Sequence, residues 1–397
     1  MRIQESLLIL LPISAAAATF QVADTSASDT LAAIALRNVA AQHSKRQNRH
    51  APEPDSSQPP PSCTFETASI RREWETLCRD EKKAYIKAVK CLLEKPSISG
   101  HLVPGARSRY DDFLATHINQ TLTIHGTGNF LSWHRYFTWT YEQALRNECA
   151  YQGPFPYLNW PKYALDLLNA PPFDGSETSL SGNGQFDPQN NGTWVPNDQQ
   201  RNIKIPPGGG GGCVTTGPFA NITVRLGPVS PSLSYATPNP QKDGLGYNPR
   251  CLRRDMSAYA VEKWANDAQI SALITNCTSL LTFQNTLQGN FPSGFLGAHT
   301  AGHFLVGGDP GGDLFASAGD PYFWLQHAQI DRVWWIWQNQ KADRERMEII
   351  AGQTVFGVAN SSLTTLDDVI DLGVNGKGIK IREAVDTLKG PFCYVYE

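Results

Sequence analysis

Charge is scarce in this 397-residue chain: Asp, Glu, Lys and Arg together make up 18%, and the formal net charge is −3 with all nine histidines neutral. No Lys/Arg stripe is present, which excludes the electrostatic footprint of a nucleic-acid binder. The short basic run Arg250–Arg254 in NPRCLRRD ends in an acid and reads as an ion-paired loop. Beyond the leader, no apolar run reaches the 18 residues of a membrane span. None of the eight cysteines forms a C-x-x-C pair, which argues against a zinc knuckle or a dithiol redox motif. No internal repeat is visible. What remains is a globular composition, 41% hydrophobic, with ample material for a buried core.

The N-terminus carries a targeting pattern: Arg2, an apolar run from Leu7 to Ala18, and small residues at its end. Residues 1–18 therefore read as a signal peptide and the chain as secreted. Residues 19–62 are polar, rich in Ala, Ser and Pro, and contain the dibasic pair Lys45-Arg46. They read as a disordered leader or propeptide. Eight cysteines permit up to four disulfides, in keeping with export. Sequons stand at Asn119, Asn191, Asn221, Asn276 and Asn360; Asn119, close to a candidate site histidine, is the least suited of them to a glycan. Ordered structure is expected from Cys63. Helical spacing recurs over 71–93, 111–119, 130–147, 257–264, 278–287, around 299–304 and over 322–340. Gly, Pro and Asn concentrate in 152–250, a region expected to be long loops with few strands.

Chemistry concentrates in the histidines. With His43 and His50 in the leader set aside, seven remain: His101, then His117, His125 and His134, then His299, His303 and His327. His299 and His303, four apart in GAHTAGHF, share one helix face and can grip one ion. The spacing is that of the zinc-protease H-E-x-x-H, but Thr300 stands where its glutamate must be, so that mechanism lacks a base. His327 follows in DPYFWLQHAQIDRVW. Asp309, Asp313 and Asp320, the carboxylates between His299 and His327, all sit in Gly-rich turns. Two triplets of neutral imidazoles suit copper, whereas di-iron bundles use Glu with Glu-x-x-His. A lone histidine among aromatics is ordinarily a packing residue, and His101 keeps that reading. Six in two apolar, helix-associated triplets point to metal.

FLSWHRYF…YEQAL and GAHTAGHF…DPYFWLQHAQIDRVW resemble the two copper signatures of the tyrosinase/catechol oxidase (type-3 copper) family. REWETLCRDEKKAYIKAVKCL, GPFANITVRLGP and NPRCLRRD resemble its short secreted fungal branch, so the likeness spans 63–397. The resemblance implies a mainly α fold: an antiparallel helical bundle holding a dicopper centre, with long loops and few short strands. It implies two copper ions, the first on His117, His125 and His134, the second on His299, His303 and His327. Family members usually carry adjacent histidines at the last position; here Gln326 replaces the first of them. Thr123 and Ile124 precede His125, so the Cys-x-His form of the family's cysteine–histidine link is absent. Tyr394-Val395-Tyr396 resembles the Tyr-x-Tyr mark closing the catalytic domain, and the family's C-terminal shielding domain is not expected here.

The partners so implied are O2 and a small phenol, and the implied reaction is oxidation of o-diphenols (catechols) to o-quinones. Hydroxylating a monophenol requires a base near the metals, which family tyrosinases build from a Glu before the second site and an Asn after its first histidine. Here Thr300 follows His299, no acid lies between Asp267 and Asp309, and Gln288 and Asn290 are not bases. Diphenol oxidation with at most weak monophenol hydroxylation is therefore expected. Thr300, Gln288, Leu314 and Phe315 are the candidates for shaping substrate entry. Asp331 is expected to make structural pairs or to orient a ligand ring. Two other readings stand beside this one: an o-aminophenol or dedicated secondary-metabolite oxidase, and a haemocyanin-like O2 carrier.

Overall fold

The computed structural model describes residues 20–49, 63–196, 202–341 and 345–397, with the side chains of 43–49 excepted. The expected signal peptide lies outside the described residues. Nine helices form among them: α1 (Ser26–Arg49), α2 (Arg79–Glu94), α3 (Arg109–Ile124), α4 (Phe130–Cys149), α5 (Tyr259–Trp264), α6 (Asp267–Asn276), α7 (Leu280–Gln288), α8 (Ala298–Val306) and α9 (Tyr322–Gln338). The described fold is mainly helical, with only short strands. None of these helices is long and apolar enough to cross a membrane.

Helix α9 is the axis. Every residue from Tyr322 to Gln338 is buried, the mark of a helix enclosed on all sides. It packs against α4, α8, α6 and α1. Helix α3 starts on a capping box, Ser108 accepting from the Asp111 amide while the Asp111 side chain accepts from the Ser108 amide. Aromatic layers fill the space between α3, α4 and α9, including Tyr141 stacked on Trp324 at 3.6 Å between ring centroids.

Polar residues of α9 are satisfied from distant parts of the chain. Asp331 accepts from Arg135 Nε (2.5 Å), Arg71 (3.2 Å) and the hydroxyls of Tyr394 and Tyr396 (2.6 Å each). Burial alone would raise its pKa, but Arg135, Arg71 and the two phenols outweigh that and hold the carboxyl below its usual 3.8. Arg71 lies on strand Ser69–Glu73, which pairs in parallel with Tyr394–Tyr396 on one side and Pro156–Tyr157 on the other. The Cys63–Cys393 disulfide closes the same junction. The helix expected over 71–93 accordingly begins only at Arg79, because 69–73 is drawn out as the middle strand.

The disordered leader expected over 19–62 is not what forms over 26–49. Helix α1 buries Ala32, Ala35 and Val39 against the domain. Its Asn38 amide donates to the carbonyls of Asn339 and Gln340, just past the last turn of α9, and Gln340 donates back to Leu31 O. Those carbonyls would otherwise lack intrahelical partners. Helix α6, started by Asn266 accepting from the Gln269 amide, is a second element absent from the expected set.

Three disulfides form rather than four: Cys63–Cys393, Cys91–Cys149 and Cys213–Cys251. Cys78 (exposed) and Cys277 (buried) remain thiols. All five sequon asparagines are exposed, Asn119 included, since two residues along a helix it points away from His117. The basic run is ion-paired as expected: Arg250 on Asp309, Arg254 on Asp320 and Arg253 on Asp187.

Asp331→Asn leaves the buried Arg135 guanidinium without its carboxylate, while Arg71 keeps Glu142 (2.7 Å), and should cost about 3–5 kcal/mol of unfolding free energy, measured by urea titration. Asp367→Asn, which breaks only exposed pairs with Lys380 and Arg382, should leave the midpoint where it was.

Candidate metal centre

Four helices deliver the six histidines. α3 supplies His117, and the turn at its C-terminus supplies His125; α4 supplies His134; α8 supplies His299 and His303; α9 supplies His327. Within each triplet the nearest ligand atoms lie within 4.8 Å of one another. A metal at about 2 Å from each nitrogen closes that gap with sub-ångström ring movements. The triplets adjoin: His134 stacks on His327 at 4.4 Å with the rings 12° apart, and His125 lies 5.8 Å from His299. His101 is exposed and stands outside both triplets, so it is not the packing residue expected of it.

Hydrogen bonding fixes where the ring nitrogens point. In the first triplet each Nδ1 meets a backbone carbonyl: His117 with Phe315 O (2.7 Å), His125 with Thr121 O (3.0 Å), His134 with Phe130 O (2.8 Å). A carbonyl can only accept, so Nδ1 carries the proton and Nε2 presents a lone pair. His117 Nε2, His134 Nε2 and both nitrogens of His327 are buried without a hydrogen-bond partner, and His299 Nε2 lies 3.1 Å from His303 Nε2. Orphaned, convergent imidazole nitrogens are costly unless a metal takes them. The donor set therefore fits a metal pair. In the second triplet His327 is held by packing, face-on to His134 and 4.1 Å from the Phe323 ring.

Burial keeps these rings neutral. It pushes His117 well below 6.5, helped by His125; it brings His125 down to about 4 despite the Thr121 carbonyl; and, with His125, it brings His303 down to about 3. His134, His299 and His327 are lowered by the same cause. Carboxylates do not compete for the ligand role. Asp309 and Asp320 are spent on arginines, and Asp313 on the amides of Val229, Ser230, Phe315 and Ala316.

Residues 107–340 match the family described as the common central domain of tyrosinase. The chain belongs to the tyrosinase family. It is 38% identical over 341 residues to "Tyrosinase P" of Aspergillus terreus, covering 85% of this chain and 94% of that one. It is 46% identical over 287 residues to "Tyrosinase-like protein orsC" of Emericella nidulans, covering 70% and 76%. An N-acetyl-6-hydroxytryptophan oxidase of Emericella nidulans is 38% identical over 349 residues, covering 84% and 94%. Among solved structures, a polyphenol oxidase variant from Thermothelomyces thermophila superposes with a TM-score of 0.86 at 40% identity, covering 94% of this chain and 98% of that one. This tyrosinase-family protein is a copper oxidoreductase, and its two groups of three histidines match a type-3 binuclear copper centre.

A cavity of about 460 Å3 opens onto the second triplet, with His299, His303 and Thr300 among its walls; no histidine of the first triplet lines it. Leu314 and Phe315 line it too, while the Phe315 carbonyl holds His117. Gln288 lies elsewhere. Its Oε1 accepts from the Gly126 amide (2.7 Å), its Nε2 donates to Gln284 O, and its backbone carbonyl accepts from Thr300 Oγ1 (3.1 Å). It thus bridges the residue after His125 to the residue after His299. Gln326 makes a comparable tie, donating to His299 O while accepting from Tyr322. Trp194 and Phe356 also line the cavity; neither stands near a histidine in sequence, and no local signal marks them.

His134→Gln should lower bound copper from two ions to one per chain by metal analysis, and Gln288→Ala should weaken copper retention against a chelator about ten-fold. Because the imidazole pKa values are depressed, their neutral burial supports the copper-free fold fully above pH 6.5, and that support is lost as pH falls through 6.5 toward 4 and 3. The copper-free Tm should therefore be level from pH 8 to 7 and decline below 6.5, and a Tm that rises on acidification would contradict it.

Proposed function

We propose that this tyrosinase-family oxidase converts o-diphenols to o-quinones with O2, and hydroxylates monophenols weakly at most. Each diphenol gives up two electrons and two protons. One O2 takes up the four electrons and four protons from two diphenols and leaves as two waters. When bound, the copper pair supplies two one-electron carriers, matching a two-electron oxidation. The chain's own residues fix the ligand rings, admit the phenol from the His299/His303 side and bound it with Leu314 and Phe315.

The observation that carries the diphenol preference is the state of the acid and amide groups around the cavity. Asp313 is the one carboxylate among the described lining residues, and its oxygens already accept four backbone N–H groups. Gln288 has both ends of its amide engaged, and the Thr300 hydroxyl donates to the Gln288 carbonyl. None of these is free to take a phenolic proton. Kinship to an N-acetyl-6-hydroxytryptophan oxidase supports a second reading, a single dedicated hydroxyindole or aminophenol substrate. Three disulfides and the leader pattern support secretion.

Copper-loaded protein given catechol, tyramine and o-aminophenol in turn should consume O2 promptly and continuously with catechol, which separates an oxidase from a reversible carrier. Tyramine should be oxidised at least ten-fold more slowly; rapid tyramine hydroxylation would falsify the diphenol preference. Thr300→Asn should raise tyramine turnover relative to catechol, and an unchanged ratio would remove position 300 from that role.

A further inference from the structure

The mouth of the copper cavity is built from side chains that ordinarily avoid water. Leu122 (49% exposed), Trp194 (37%), Leu314 (38%) and Phe356 (47%) are large apolar residues each more than a third exposed, and all four line this one cavity. They come from four separate segments: the last turns of α3, the strand Thr193–Val195, the loop before α9 and the loop after it. Scattered exposed apolar side chains need no explanation, but convergence on a site entrance marks a binding surface.

Each wall is fixed. The Phe356 amide donates to Leu122 O (2.8 Å), and its ring lies directly on Gly126. Gly126 has φ +62°, and a Cβ there would sit 2.3 Å from Phe356 Cδ2, so both backbone and space demand glycine. Trp194 is backed by the Lys204 ammonium, 5.4 Å from its ring centroid, and Lys204 is itself tied to Asn191 O (2.6 Å). Below the collar, Phe291 and Phe304 continue the apolar lining down to His299. The charge of Asp313 is turned onto backbone amides, and the described walls hold no Lys, Arg or second carboxylate to pair with a charge on the substrate. The volume, about 460 Å3, falls in the range of about 300–1,000 Å3 that takes drug-sized ligands rather than a lone ring.

We infer that the substrate is a diphenol whose ring carries a bulky, uncharged, apolar extension, and that this extension lies on the collar of Leu122, Trp194, Leu314 and Phe356. This rests on the diphenol-oxidase reading and narrows it to a substrate class. Simple catechol fills only the floor of such a site, and an amino-acid diphenol places its charges against apolar walls.

The test uses the copper-loaded full chain and O2 uptake with catechol, 4-phenylcatechol and L-dopa. The expected KM for 4-phenylcatechol is about ten-fold below that for catechol, and L-dopa about ten-fold above it. Trp194→Ala and Leu314→Ala should each cut the preference for 4-phenylcatechol over catechol several-fold; Phe186→Ala, an exposed apolar residue outside the cavity, should leave the preference intact. Equal KM values for the three substrates, or a preference untouched by both collar variants, overturns the inference. Calorimetric binding of 4-phenylphenol against phenol under nitrogen reads the collar without turnover. Tighter binding of 4-phenylphenol in a protein that oxidises no catechol would keep the collar and sink the oxidase reading; equal binding would sink the collar.

Discussion

Six neutral imidazoles packed tip to tip, with no carboxylate among them, are the constraint around which this molecule is organised. Buried ring nitrogens without partners are expensive, so the fold must hold them in place until metal takes the lone pairs. It does so in two different ways. In the first triplet, backbone carbonyls of Phe315, Thr121 and Phe130 take the Nδ1 protons and thereby select the tautomer. Two of these carbonyls stand four residues before their histidine, so helical geometry supplies the partner without any added side chain. In the second triplet, His327 is clamped by rings, His134 on one face and Phe323 close by. Orientation by hydrogen bond is specific to one nitrogen; orientation by stacking depends on the whole aromatic core staying closed.

That dependence explains why α9 is so heavily secured. The helix that carries His327 is enclosed along its length, and its polar residues draw partners from both ends of the chain. Asp331, one turn beyond His327, gathers Arg71 from the first strand, Arg135 from the helix of His134, and both tyrosines of the final strand. Arg135 directly follows His134, so a single carboxylate fixes the relative positions of the two helices whose histidines stack. Asp331 is therefore a brace between the copper half-sites rather than the hydrogen-bond partner of a ligand ring. Helix α1 completes the brace by capping carbonyls just past the end of α9, and for that reason the segment belongs to the folded domain.

Local signals carried most of the architecture. Histidine spacing, the aromatic run over 130–141 and the apolar run over 322–337 were enough to place α3, α4, α8 and α9 and to group the ligands three and three. The loops of 152–250 followed from their Gly and Pro content. What the sequence hid is what depends on distant partners. Residues 26–49 look like a polar linker because, among the described side chains, Ala32, Ala35 and Val39 are the buried apolar ones, and α6 and α9 are needed to cover that stripe. Arg71 reads as part of a helix until Tyr394–Tyr396 is available to pair beside it. Gln288 reads from the sequence as a polar group free to reach the site, yet its amide is committed to Gly126. Trp194 and Phe356 are remote from every histidine in sequence, and only tertiary folding brings them to the cavity mouth.

The same few residues join the histidine shell to the cavity walls. Gly126 follows His125, receives the Gln288 oxygen on its amide and supports the Phe356 ring on its open face. Phe315 gives its carbonyl to His117 and its side chain to the cavity, and Thr300 lines the cavity while bonding to Gln288. A change at the entrance is therefore not mechanically separate from the ligand shell. Bulk added at residue 126 would displace Phe356 and disturb the His125 turn together, whereas Trp194 and Leu314, which none of these ties includes, leave the ligand shell out of reach. Changes of shape at the cavity wall are thus confined by the same contacts that hold the histidines. On the Trp194 side the wall is remote from these ties, whereas on the Phe356 side a change reaches the His125 turn through Gly126.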